Sequence, residues 1–144
     1  MFFDGEEGLL NDDKDWYPLG STYFAEHLSE LYPFHKPLGA VIIDMVCAKN
    51  LRFLQEKSSL AYIPKEVNRL WDLGKAFDQK AFPSLMGLEI HDDHTPLNLA
   101  GIPSFLLIDF DYPPFHTTRD TLDKCSAQSL ETVAHTLLAY LSSL

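Results

Sequence analysis

Residues 39–44 read GAVIID and residues 104–109 read SFLLID. Each is an uninterrupted apolar run of strand length closed by an aspartate, the pattern of a strand buried on both faces. Such strands need helices above and below them, and the rest of the chain offers candidates. Residues 21–31 (STYFAEHLSEL) set Phe24, Leu28 and Leu31 on one side behind a serine cap, which predicts a helix. Residues 63–77 (IPKEVNRLWDLGKAF) gather Val67, Leu70 and Trp71 and carry Pro64 near the start, the signature of another. Residues 96–100 are expected as a short helix with Gly101 just past its end. Residues 126–144 are expected as the longest, with Leu130, Val133, Leu137, Leu138 and Leu141 on its inward stripe. Residues 51–55 and 85–90 read as further strands, and residues 1–3 as the tail of a strand cut short. Strands separated by helices predict an α/β fold with a mostly parallel sheet flanked by helices. No linker or change of composition interrupts it, so residues 1–144 are expected to form a single domain.

Composition narrows the function classes. At 46% hydrophobic, the 144 residues can bury a real core, and 12% aromatics with nine prolines argue against disorder. The formal charge of −10 comes with no basic stripe, which disfavours nucleic acid and anionic membrane surfaces as partners. No apolar run has the length of a transmembrane helix, and no signal peptide is visible, which leaves the compartment undecided. Cys47 and Cys125 are far apart, match no metal or redox spacing, and are expected as two buried thiols.

In open α/β sheets, sites form beyond the carboxyl ends of the strands. Asp4, Glu6 and Glu7 follow the first stub, and Asp44 closes GAVIID. Asp92, Asp93 and His94 follow the run ending at Ile90, and the loop DFDYPPFHTTRD after the second apolar strand carries His116. Each alone has an ordinary explanation: a solvated glutamate pair, an aspartate capping the next segment, a DDH that caps a short helix, a loop histidine. Their convergence on one rim is what points to a metal-assisted or acid/base site. A zinc site of nitrogen and oxygen ligands wants three protein groups and an open fourth position. Glu7 and His116 suit as ligands, and Glu6, beside one of them, suits as general base.

Taken in order, FFDGEEG, Trp16, GSTYFAEHL, GAVIIDMV, IHDDHTPLNLAGIP and FHTTRDTLDKCS resemble the zinc aminopeptidase and glutaminyl cyclase superfamily across nearly the whole chain. The DGEE opening and the IHDDHTPL segment look closer to its glutaminyl-cyclase-like branch. The resemblance implies a zinc-exopeptidase-like (phosphorylase/hydrolase-like) fold of which this chain is the C-terminal half, truncated at the N-terminus. It implies Glu7 and His116 as zinc ligands and Glu6 as the catalytic glutamate. Asp44 matches the carboxylate that binds a second zinc in two-metal aminopeptidases or joins the hydrogen-bond network in one-metal cyclases. Asp92 matches an acid that contacts substrate. Phe115 stands where cyclases carry a pocket-lining tryptophan, and Trp16 is expected with it as a substrate-binding residue. Zinc is thus implied as cofactor, one ion per site if cyclase-like and two if aminopeptidase-like.

The sequence also departs from the pattern. Leu106 replaces a strand histidine of the cyclases, Cys47 replaces a glycine, and the loop before Trp16 is longer and more acidic. The implied substrate is a peptide N-terminus. The leading activity is conversion of N-terminal glutamine to pyroglutamate with release of ammonia, and the alternative is aminopeptidase hydrolysis. A third expectation is a non-catalytic, self-associating remnant, with a homo-oligomer or a second chain supplying the missing half.

Overall fold

The computed structural model describes residues 1–5 and 18–144. Glu6, Glu7 and Trp16 lie outside the described residues. In chain order the elements are α1 (Leu19–Glu26), α2 (Leu28–Leu31), β1 (Ala40–Asp44), α3 (Lys57–Tyr62), α4 (Pro64–Phe77), α5 (His94–Leu99), β2 (Ser104–Ile108), a 3-10 turn (Leu122–Lys124) and α6 (Ala127–Ser142).

The two apolar runs form the sheet. β1 and β2 pair in parallel, with Ala40 opposite Ser104 and Asp44 opposite Ile108. Helices cover both faces, and the period-2 alternation of the strands divides the core accordingly. On one face Phe105 and Leu107 of β2 join Phe53, Leu70, Trp71, Phe82, Val133 and Tyr140, with Val41 of β1 packed against them. On the other, Phe24, Leu28, Leu97 and Ile102 pack with Ala40 and Ile42. α4 and α6 lie together on the first side, α1 and α5 on the second.

Several expectations need correcting. β2 is buried throughout, but β1 is not: Ile43 is 45% exposed. Residues 1–3 form no strand; Phe3 packs on Phe24 with ring centroids 5.6 Å apart. The expected helix over 21–31 starts earlier, at Leu19, and breaks at His27 into α1 and α2. Ser21 is not its cap but sits inside the first turn, where its Oγ donates to the Pro18 carbonyl at 3.2 Å. Gly20 donates its N–H to the Asp4 carbonyl at 3.0 Å; a Cβ there would lie 2.4 Å from that oxygen, so only glycine lets residues 1–5 approach α1.

Residues 51–55 and 85–90 are extended but form only an isolated bridge, Gln55 with Met86. Phe53, Gln55 and Lys57 donate to the carbonyls of Ala81, Leu85 and Leu88. Donors two apart on one side thus meet acceptors four and three apart on the other, so the partner chain bulges between bonds and no regular ladder forms.

α6 begins as expected, with Ser126 accepting from the Ser129 N–H, and Val133 and Leu137 of the expected stripe face the core, but the stripe as a whole is rotated. Its buried residues are Ser129, Val133, Thr136 and Tyr140, whereas Leu130, Leu138 and Leu141 are exposed. Small side chains at 129 and 136 let α6 lie close to its neighbours. Ser129 Oγ donates to the Ala48 carbonyl at 2.7 Å, and Tyr140 OH to Glu66 Oε2 at 2.8 Å. The cysteines are not free thiols either. Cys47 and Cys125 form a disulfide that ties the segment after β1 to the start of α6 across 78 residues. A closed loop of that length is worth about 4 kcal/mol in the chain-entropy account.

Candidate functional site

Because Asp44 and Ile108 are in register, both strands end level and their following loops leave from the same rim. The backbone is tight on both exits. Met45, directly after Asp44, has φ 50°, and His116, in the loop after β2, has φ 53°. A non-glycine residue in this left-handed region costs of order 1 kcal/mol and is kept where the surroundings dictate it. Between the two, residues 91–93 turn from the extended segment into α5.

These exits enclose a cavity of about 260 Å³ lined by Asp44, His91, Asp92, Phe110, Phe115 and His116 among others. One wall is aromatic: the Phe115 ring stacks on the His116 imidazole at 3.9 Å, and Phe110 tilts against Phe115 at 5.2 Å. Acidic groups share the lining. Asp92 is only 4% exposed, and its carboxyl is pushed up to about 6. Burial is the main cause, and the charges of Asp44 and Asp93 add to it. The Asp93 N–H, donating to Asp92 Oδ1 at 2.5 Å, and the nearby His94 pull the other way. Asp44 and Asp92 also line a second cavity of about 540 Å³, together with Phe2, Phe3, Ile42 and Asp93.

Of the residues expected at the site, the structure therefore brings together Asp44, Asp92, Phe115 and His116. Glu6, Glu7 and Trp16 lie outside the described residues. Asp93 precedes α5 as its N-cap but makes no side-chain capping bond, so a helix cap does not account for the DDH segment. His94 is not delivered to the rim: it is 1% exposed and turns inward to Glu56 and Ser58. Leu106 is buried within β2, its N–H donating to Ser59 Oγ at 3.0 Å.

Sequence reasoning passed over His91, although it stands beside the DDH motif. It also missed Asp109, 3% exposed, which accepts from the Arg52 backbone N–H at 3.2 Å. Burial, foremost, pushes the Asp109 carboxyl up to about 6, with Asp111 adding and Arg52 opposing. The signal for Asp109 was its place at the end of SFLLID, equivalent to Asp44 at the end of GAVIID.

Among the described residues no group of three His, Cys, Asp or Glu is arranged to hold a metal ion. The donor chemistry nonetheless fits zinc. The imidazoles of His91 and His116 and the carboxylates of Asp44, Glu89 and Asp92 line one cavity, nitrogen and oxygen donors of the kind zinc takes.

The two-strand parallel sheet flanked by helices has the fold of the zinc-exopeptidase-like class, as the likeness to solved structures shows. The profile of Peptidase family M28 matches residues 1–141, and the chain belongs to that family. Among solved structures it is similar to a glutaminyl cyclase from Fimbriiglobus ruber, with 33% identity and a TM-score of 0.83 over 96% of this chain and 50% of that one. It is also similar to a leucine aminopeptidase precursor from Bacteroides thetaiotaomicron, with 26% identity and a TM-score of 0.84 over 95% of this chain and 50% of that one. A Zn-dependent exopeptidase from Parabacteroides distasonis shares the fold at 24% identity and a TM-score of 0.81, over 95% of this chain and 51% of that one. The chain thus spans about half the length of the structures it matches. No curated protein matches it by sequence.

Proposed function

We propose that this chain contributes the rim of a zinc-dependent glutaminyl-peptide cyclotransferase site, turning N-terminal glutamine into pyroglutamate. The observation that carries the reading is the cavity where Asp44, Asp92, Phe115 and His116 meet. Glu7, His116 and Asp44 would hold zinc, which when bound supplies Lewis-acid polarisation of the substrate's γ-carbonyl. Glu6 takes a proton from the α-amine, whose nitrogen bonds to the γ-carbon. The bond from that carbon to the amide nitrogen then breaks, and Glu6 passes the proton to the departing ammonia. Asp44 and Asp92 orient Glu6 and the substrate amine, while Phe115 and Trp16 pack against the glutamine side chain.

The second reading, a zinc aminopeptidase, is favoured by the likeness to a leucine aminopeptidase precursor. There Glu6 activates the attacking water and Asp44 serves a second ion. Ammonia release from Gln-initiated peptides supports the first reading, and release of leucine from Leu-initiated peptides supports the second. Zinc per chain separates them further, one ion against two. Under either reading Glu7→Gln and His116→Ala both lower zinc content; unchanged zinc in both overturns the ligand assignment.

We also propose that the exposed side of β1 takes further polypeptide, a second copy or a second chain. Ile43 is exposed in a strand that is apolar up to Asp44, and the structures this chain resembles are about twice as long. A self-associating chain without activity is the outcome if neither substrate class reacts.

A further inference from the structure

Glu56 is buried, 1% exposed, and has no part in the chemistry above. It sits at the N-cap of α3, where Oε1 accepts from the Ser58 N–H at 2.8 Å and Oε2 from the Ser59 N–H at 2.6 Å. Ordinary capping accounts for those two bonds. It does not account for the rest. Oε1 also accepts from the Ile90 N–H at 3.1 Å, and Oε2 lies 3.4 Å from His94 Nε2. Burial alone would raise this carboxyl, but the bonds from His94, Ser59 and Ser58 together hold it well below the usual carboxylate range.

Ile90 and His94 are the two feet of the turn that carries Asp92. One buried anion therefore grips both ends of that turn. Proton bookkeeping fixes the third member. Ser58 Oγ donates its single hydrogen to Glu56 Oε2 at 2.8 Å, so toward His94 Nε2, 3.0 Å away, it accepts. His94 Nε2 thus carries a proton directed into the cluster, while its buried Nδ1 has no partner among the described residues. Glu56 and Ser58 orient the ring through Nε2.

We propose that Glu56, acting through Ser58 and His94, is a positioning residue that sets the 91–93 turn and so presents Asp92 to the cavity beside Asp44. The functional half of this inference rests on the reading of Asp92 as a substrate-contacting group. The test compares Glu56→Gln, on the full chain labelled with nitrogen-15, with Val67→Ala, a truncation in the core of α4. Amide hydrogen exchange at Ile90 and Thr95 should accelerate about tenfold in Glu56→Gln, the loss expected for one good hydrogen bond. Core amides at Leu70 and Leu107 should change no more than in Val67→Ala.

Binding of Gln-Ala-amide, followed at the Phe115 and His116 resonances, should weaken by about the same factor in Glu56→Gln. In Val67→Ala it should hold steady. Equal effects in both variants would reduce Glu56 to a general stabiliser and overturn the proposal, as would a loosened turn with unchanged binding. If the parent chain does not bind Gln-Ala-amide, the functional reading fails, and the exchange comparison still decides whether Glu56 grips the turn. Should Glu56→Gln not fold, Ser58→Ala removes only the hydroxyl bridge and is expected to act in the same direction with smaller effect.

Discussion

Asp109 shows how a single residue couples burial to pH. Its carboxyl is held at about 6 in the folded chain, against 3.8 ordinarily. Between those values the folded state keeps a proton that the unfolded state has released. The folded chain thus binds more protons in that window, and its contribution to stability falls as pH rises from about 4 to about 6, then stays flat. Asp109→Asn removes this slope while keeping an acceptor for the Arg52 N–H. Urea unfolding across that range should show the variant gaining stability on the parent as pH rises from the low to the high end of the window. An identical pH dependence in the two proteins would mean that Asp109 is not held protonated. The sign is opposite for Glu56, whose stabilising contribution is lost only as pH falls through the acid range below its ordinary value.

At the scale of elements, α4 illustrates why pattern alone does not set packing. Its inward face was legible in Val67, Leu70 and Trp71, all fully buried. Gly74, one turn on, reads as a weak point in a helix, because glycine costs about 1 kcal/mol relative to alanine there. The structure gives it a purpose: a Cβ at 74 would lie 2.6 Å from the ring of Phe82, which is itself wholly buried. Gly74→Ala should therefore lower stability by about 1–2 kcal/mol despite its better helix propensity, since overpacking outweighs the gain. A variant as stable as the parent in urea would show that Phe82 has room to move. α6 makes the complementary point. Its leucines trace a tidy stripe in the sequence, yet Leu138 is 62% exposed, and the helix turns toward Ser129, Val133, Thr136 and Tyr140. Ser129 reaches the Ala48 carbonyl and Tyr140 the Glu66 carboxylate of α4, partners that periodicity does not express.

For the whole molecule, the uneven burial of the sheet is the dominant feature. β2 is covered on both faces, while Ile43 of β1 and Phe2 beside it remain open. Exposed apolar strands seek partners. Size-exclusion chromatography with light scattering should show concentration-dependent self-association of the chain, reduced by Ile43→Lys. A parent that stays monomeric at high concentration would count against β1 as a docking surface. The disulfide from Cys47 to Cys125 works at the same scale, holding the segment after β1 to the base of α6.

What the sequence determined by itself is whatever depends on neighbours along the chain. Two uninterrupted apolar runs specify the parallel strands, Pro64 and Gly101 mark helix ends, and Asp44 closes β1 because the apolar run ends there. Family membership was legible for the same reason, in ordered local motifs. What only tertiary structure decided depends on partners far apart in sequence. The pairing of Cys47 with Cys125 has no spacing rule. The inward face of α6 answers to its neighbours, and the withdrawal of His94 from the rim answers to Glu56, which caps α3, a helix that local reading did not find. Burial does the deciding in each case: a group removed from water must find its bond or its packing partner wherever the fold supplies one.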